Sequence, residues 1–276
     1  MLGPMLRLGV DFGLTNTDAV LVEGQRIVAE KTLQTGPASL EALHQVLETL
    51  GLKPAQLELI ACTGGLSRRL PDDLEGLQLE KVGEALAVGR GGLALAGLSE
   101  ALVVSAGTGT AMIAARGATA QHFTGSAVGG GTLLGLSRLL LGTADPLEVA
   151  RLAEKGDPGR VDATLLDVIG GGIGHLPPDA TAVNLGRLVR EAPPRPEDLA
   201  AGLVTLVGQV IAVISLNAAR AAGLSQIVLV GHLTDLAPVR AALERVWYFY
   251  RVEPRPLIPP KAGLATAYGA VLCSLG

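Results

Sequence analysis

The stretch Ser105-Ala106-Gly107-Thr108-Gly109-Thr110-Ala111 constrains this chain most. It follows the apolar run Ala101-Leu102-Val103-Val104, which reads as the end of a buried strand. Glycine lets backbone amides approach a ligand and tolerates positive φ, and threonine adds a neutral hydroxyl donor. A strand ending in such a turn suits phosphate oxygens, although Gly-Thr repeats also occur in ordinary hairpins. The pattern recurs. Leu57 to Cys62 is an apolar strand ending in Thr63-Gly64-Gly65, and Ile227 to Val230 ends in Gly231-His232-Leu233-Thr234. Gly125-Ser126-Ala127-Val128-Gly129-Gly130-Gly131-Thr132 is a glycine loop running straight into the apolar stretch Leu133 to Leu141. Its amides, at a helix N-terminus, are expected to face an anion.

The rest of the chain fits around these turns. Residues 6–12 alternate and run into Gly13-Leu14-Thr15-Asn16-Thr17-Asp18, followed by strand-like pieces at 19–23 and 26–32, an N-terminal β-meander. Asp11 ends the first strand, where a carboxylate beside a hydroxyl-rich turn suits Mg²⁺; the plain alternative is an Asx-rich hairpin. Helices are expected at 38–51 (Ser39 as N-cap, Gly51 as stop), 80–97, 145–156, 197–222, 237–250 and 262–275. Glu84, early in a helix carrying Gly89, Gly91 and Gly92, lies among Ala, Leu and Gly. Such surroundings raise a carboxylate's pKa and suit a general base; the plain alternative is an exposed glutamate favoured by the helix dipole.

With 276 residues, 49 % of them hydrophobic and 17 % charged, the chain is a folded α/β protein with sizeable cores. A strand, a Gly/Thr turn and a helix recur in both halves, so two similar lobes facing a cleft are expected, 1–100 and 101–276, with a lid or dimer segment at about 143–195. A net charge of -4 argues against nucleic acid. The cysteines Cys62 and Cys273 are expected to be reduced, in a cytoplasmic protein. The uncharged run 200–219 is interrupted by Gln209, Ser215 and Asn217 and reads as a buried helix, not a membrane span.

Taken together, these residues resemble the type II pantothenate kinases, of the actin-like (ribonuclease H-like) acetate and sugar kinase superfamily, nearly end to end. Asp11-Phe12-Gly13-Leu14-Thr15 is similar to that family's phosphate turn, and Thr63-Gly64-Gly65 to its second glycine turn. Glu84 stands seven residues before Gly91, as its catalytic glutamate does before a glycine helix. Gly107-Thr108-Gly109-Thr110 and Gly129-Gly130-Gly131-Thr132-Leu133-Leu134-Gly135-Leu136 match two further segments. Gly156-Asp157, Val161-Asp162 and Asp179-Ala180-Thr181-Ala182 before Asn184-Leu185-Gly186 also fit. The resemblance implies ATP- and Mg²⁺-dependent phosphorylation of pantothenate, the first step towards coenzyme A. Glu84 would be the base and Asp11 the metal residue. Asp11, Gly13, Thr15, Asn16, Thr108, Gly109, Gly129, Gly130, Gly131, Thr132, Leu133, Leu134, Gly231 and His232 would meet the nucleotide, and Thr110, His122 and Gly125 the acceptor. It also implies a homodimer and feedback by coenzyme A or an acyl-coenzyme A.

Three positions depart from the family pattern. Leu14 replaces a glycine of the phosphate turn. Asp18 stands where the family carries a lysine, and an acid there repels ATP unless a cation intervenes. His122 stands where an arginine helps bind the pantothenate carboxylate, and a neutral imidazole is a poor substitute for a bidentate guanidinium. The first turn also resembles that of the hydantoinase and oxoprolinase ATPases. A kinase or ATPase acting on another small molecule, and a silent nucleotide- or coenzyme A-binding regulator, are the alternatives.

Overall fold

The structure is a computed structural model that describes residues 6–34, 38–65, 67–189 and 193–275. It opens with three antiparallel strands, β1 (Leu6–Phe12), β2 (Thr17–Glu23) and β3 (Arg26–Leu33). Next come α1 (Leu40–Leu50), β4 (Leu57–Thr63), the short pair β5 (Asp73–Leu74) and β6 (Leu77–Lys81), and α2 (Glu84–Ala96). A second antiparallel triplet follows: β7 (Glu100–Ala106), β8 (Thr110–Arg116) and β9 (Thr119–Ser126). Then come α3 (Gly130–Leu141), α4 (Pro146–Ala153), β10 (Ala163–Thr164), α5 (Leu165–Ile169), β11 (Thr181–Val183), the long α6 (Pro196–Ala221), β12 (Ile227–Val230), α7 (Ala237–Phe249) and α8 (Ala265–Cys273).

The two large sheets repeat one plan. The first has the order β3-β2-β1-β4-β6-β5, with β4 parallel to β1. The second has the order β12-β7-β8-β9, with β12 parallel to β7. Each is an antiparallel meander whose first strand takes a parallel neighbour through a helical crossover. The C-terminal ends of β1, β4, β7 and β12 therefore carry the glycine turns.

Helices cover both faces of each sheet, because the central strands are apolar on both sides. The helix α1 buries Ala42, Leu43, Val46 and Leu47 against Leu8, Val10 and Leu21 of the first sheet. Its N-cap Ser39 accepts from the Ala42 amide at 3.2 Å, and Gly51 closes it with φ +66°. On the far face of the second sheet, α6 packs Leu203, Val207 and Ile211 against a core holding Leu102, Val104 and Leu229. By length and composition α6 could cross a membrane, but 67 % of its most apolar window is buried within the fold. It is a core helix, as its sequence suggests.

Between the sheets lie α2 and α8, and each has crossed over. The helix α2, from the first half, packs Val88 and Leu93 against Val103 and Ile113. The helix α8, from the end of the chain, packs Ala267, Val271 and Leu272 against Val20, Val22 and Leu59. They touch backbone to backbone. A Cβ on Gly91 would strike the carbonyl oxygen of Ala265, and one on Gly269 the carbonyl oxygen of Ala87.

Four expectations need correction. The helix expected from residue 80 begins at Glu84, because Leu77 and Leu79 alternate inward on β6, whose residues Leu79, Glu80 and Lys81 pair with β4. Gly125 and Ser126 belong to β9, not to the glycine loop. The segment read as loops after residue 156 contains the β10–β11 pair and α5. The last helix splits into a short turn at 262–264 and α8. Both cysteines are free; Cys62 is buried and Cys273 half-buried.

The α2–α8 contact yields a stability prediction. The variant Gly91→Ala forces two backbones apart and should lower stability by roughly 2 kcal/mol or more. The variant Gly135→Ala, exposed on α3 with nothing within 4 Å of its Cβ, should raise it by about 0.5–1 kcal/mol. Chemical denaturation of the two variants beside the parent checks both signs.

Candidate active site

The first turn, Gly13 to Asn16, links β1 to β2; a Cβ on Gly13 would lie 2.8 Å from the Asn16 carbonyl oxygen. Leu14, the departure from the glycine pattern, points outward at 88 % exposure and so leaves the turn's geometry intact. Gly64 at the end of β4 has φ +95°, and its Cα faces the Phe12 carbonyl and the Asp11 carboxylate. Gly231 at the end of β12 has φ +97° and abuts the Ala106 backbone. No L side chain is comfortable at these two conformations. Across the gap, Thr15 Oγ1 lies 3.0 Å from Thr108 Oγ1, so the turns after β1 and β7 face each other. Neutral hydroxyls from both halves thus meet at one cleft.

The triple-glycine loop backs this cleft instead of opening into it. The amides of Gly130 and Gly131 donate to the carbonyls of Gly107 and Thr108, both at 2.8 Å. A Cβ on Gly129 would lie 2.7 Å from the Thr108 carbonyl oxygen. The expectation that these two amides face an anion is therefore corrected: the loop clamps the Gly-Thr turn. Thr132 Oγ1 donates to the Ala127 carbonyl, Thr110 Oγ1 donates to that of Val128, and Leu133 is fully buried with Leu134 packed on the same core. His122 and Gly125 lie exposed on β9, with His122 Nε2 3.6 Å from where a Gly125 Cβ would sit.

Acids gather at the cleft floor. Asp11 is partly buried at the end of β1, opposite Asp18 on β2 and Thr63 on β4. Burial first, then the charges of Asp18 and Glu84, push its carboxyl up to about 7, against a smaller pull from His232. Glu84 opens α2 and is exposed. The apolar surroundings expected for it do not exist, because it stands at the exposed first residue of α2, one turn ahead of the buried Ala87 and Val88. Thr63 Oγ1, fully buried, has no hydrogen-bond partner. No group of three or more His, Cys, Asp or Glu side chains suited to a metal occurs among the described residues. Mg²⁺ nevertheless needs only one or two carboxylates when phosphates complete its shell. A carboxylate whose proton is held by burial and by neighbouring negative charge is one that a cation would relieve, so Asp11 fits that role.

His232 is placed where the sequence did not foresee. Its Nε2 lies 2.8 Å from Asp18 Oδ1 and its Nδ1 2.8 Å from Asp235 Oδ2. Hydrogen bonds to Asp18 and then Asp235 raise its pKa to about 10, so the ring is an imidazolium at neutral pH. Asp18 Oδ1 also accepts from Thr32 Oγ1 at 2.6 Å. The Asp18 that departs from the family pattern thus has its own cation. Asp235 escaped notice in the sequence, although the His-x-x-Asp spacing at the strand end is a local signal.

The state of Asp11 sets a pH dependence. An aspartate in an unfolded chain titrates near 3.8, and here the folded value is about 7. The native state therefore holds this proton more tightly, and ionisation costs stability progressively from pH 4 to 7 and fully above 7. In metal-free buffer, Asp11→Asn should be the more stable protein at pH 8, by on the order of 2 kcal/mol. The gap should close at pH 4, as read by unfolding at both pH values.

Comparisons with known proteins bear on the fold and the family. A family model described as Fumble matches residues 100–253. A type II pantothenate kinase of Oceanobacillus iheyensis is 31 % identical over 98 % of this chain and 100 % of its own length. One from Staphylococcus aureus is 25 % identical over 82 % of this chain and 84 % of that relative. Among solved structures, the activator of the 2-hydroxyisocaproyl-CoA dehydratase from Clostridium difficile, with bound ADPNP, superposes with a TM-score of 0.67. It shares 18 % identity and covers 97 % of this chain and 93 % of that one. A glucokinase of the ROK family from Streptomyces griseus, in complex with glucose and AMPPNP, gives 0.58 at 16 % identity, covering 98 % and 100 %. These likenesses show the fold, an actin-like α/β architecture. With more than half its length matched by the family model and a relative aligned from end to end, this chain belongs to the Fumble family, the type II pantothenate kinases.

Proposed function

We propose that this protein transfers the γ-phosphoryl group of ATP to the terminal hydroxyl of pantothenate, forming 4'-phosphopantothenate. The observation that carries this reading is the end-to-end match to a type II pantothenate kinase, on a chain whose two glycine turns face each other across an acid-floored cleft. Phosphoryl transfer asks for positioning and charge neutralisation more than for covalent chemistry. The turns would supply the positioning: Thr15, Asn16, Thr108 and Gly109 would offer donors to the phosphate oxygens. The Gly129–Thr132 loop holds the second turn rigid. Asp11 would hold Mg²⁺, which neutralises phosphoryl oxygens when bound. Glu84 would accept the proton of the attacking hydroxyl, its exposure at the start of α2 leaving it open to substrate. His122 and Gly125, neighbours on exposed β9, would meet the acceptor's carboxylate end, and Gly231 and His232 the nucleoside side.

In this reading 1–100 and 101–276 are the lobes that close over ATP, and 143–195 forms a lid or subunit contact. Coenzyme A contains the pantothenate moiety, so it or an acyl ester would compete for the acceptor site as a feedback ligand. The substrates and the free thiols Cys62 and Cys273 suit the cytoplasm. A homodimer is supported by large apolar side chains left on the surface at Leu139 (82 % exposed), Leu140, Leu147, Leu166, Val168 and Ile169.

Coupled ADP release should depend on pantothenate in the parent and fall by about 10²–10⁴-fold in kcat for Glu84→Gln. No stimulation by pantothenate, with ATP still bound, overturns the reading. Light scattering should report a dimer for the parent and a folded monomer for Leu139→Asp combined with Leu140→Asp.

A further inference from the structure

One ionic bridge joins the two halves of the molecule where the phosphate turns meet. Asp18 lies on β2 of the first sheet, and His232 follows β12 of the second, 214 residues away. The Asp18 side chain is only 8 % exposed. Both ring nitrogens of His232 face carboxylate oxygens at 2.8 Å. A neutral imidazole has one N–H, so its other nitrogen would set a lone pair against an oxygen; only the doubly protonated ring satisfies both contacts. The raised pKa of His232 agrees with the geometry. Gly263 makes room for the ring: a Cβ there would lie 2.5 Å from Nδ1. The other charged groups around it, Glu30, Lys31 and Lys261, line an opening of about 390 Å³ beside the bridge. Lys261 pairs with Glu30. Among the described residues, the cation hydrogen-bonded to Asp18 is therefore His232.

We propose that His232 is a positioning residue: pinned between Asp18 and Asp235, it locks the two halves of the cleft together and cancels the buried Asp18 charge that would repel nucleotide phosphates. The inference rests on reading the cleft as a nucleotide site, but not on the identity of the acceptor. Asp18 pairs across the strands with Asp11, so the bridge borders the cleft floor. Without the imidazolium, Asp18 would keep only the Thr32 hydroxyl among the bonds described here, and a buried carboxylate so left is costly. The pin also fixes the spacing of the start of β2, just past the first turn, from the turn that begins at Gly231.

The test is nucleotide binding without acceptor, by calorimetry with Mg·ADP, on His232→Gln, Asp18→Asn and the double variant. The single His232→Gln should weaken binding tenfold or more and raise KM for ATP. Adding Asp18→Asn should restore most of the binding, because it removes the charge the ring had cancelled. Binding by His232→Gln within twofold of the parent, or a double variant no tighter than the single, overturns the proposal. If His232→Gln does not fold, the parent decides: with ¹⁵N-labelled histidine, one of its four rings should be protonated at both nitrogens at pH 8, and four neutral rings sink the idea. Pantothenate turnover in the parent with unchanged binding in the variants would reject the pin alone. Binding that follows the pin, with no pantothenate turnover, would reject the acceptor alone.

Discussion

The backbone contact between α2 and α8 is the constraint on which the rest of this structure depends. Each helix is covalently part of one half and packed on the sheet of the other. Gly91 and Gly269 let the helices approach until carbonyl oxygens fill the places of Cβ atoms. At that distance the two sheets share one helical layer, and their strand ends come within reach of one another. The Thr15–Thr108 contact and the Asp18–His232 bridge both need that distance. A helix with three glycines is poor on propensity alone; here tertiary packing supplies what propensity lacks.

Glycine has two separate uses around the cleft. At Gly64 and Gly231 it permits positive φ, so that strands stop sharply against the Phe12 and Ala106 backbone. At Gly129, Gly130 and Gly131 it permits backbone to lie on backbone, so that one loop braces another. Both produce glycine-rich sequence, and only the fold separates the two uses. A turn built from neutral hydroxyls and braced from behind is a preorganised one. The histidine beside it is held between two acids, so it offsets their charge and adds none of its own.

Much of the architecture was legible along the chain. The strands at 6–12, 19–23, 57–62 and 227–230, and the caps Ser39 and Gly51, are local signals with local causes. The glycine turns could be found because positive φ restricts residue type wherever it occurs. The short β6 was missed because two alternating leucines next to a helical pattern are ambiguous on period alone. The environment of Glu84 was misjudged because the first residue of a helix can project beyond the core that buries the same face one turn later, at Ala87 and Val88.

By itself the sequence determined the repeated strand–turn–helix plan, the strand-end glycines and the residue types available to the site, because each follows from short-range sterics and hydrophobic periodicity. Only the tertiary structure decided what those residues meet. It decided that α2 and α8 exchange sheets, that the triple-glycine amides face a turn, and that Asp18 reaches His232 across 214 residues. Electrostatics depends on distance and burial, and neither is written in the order of the chain.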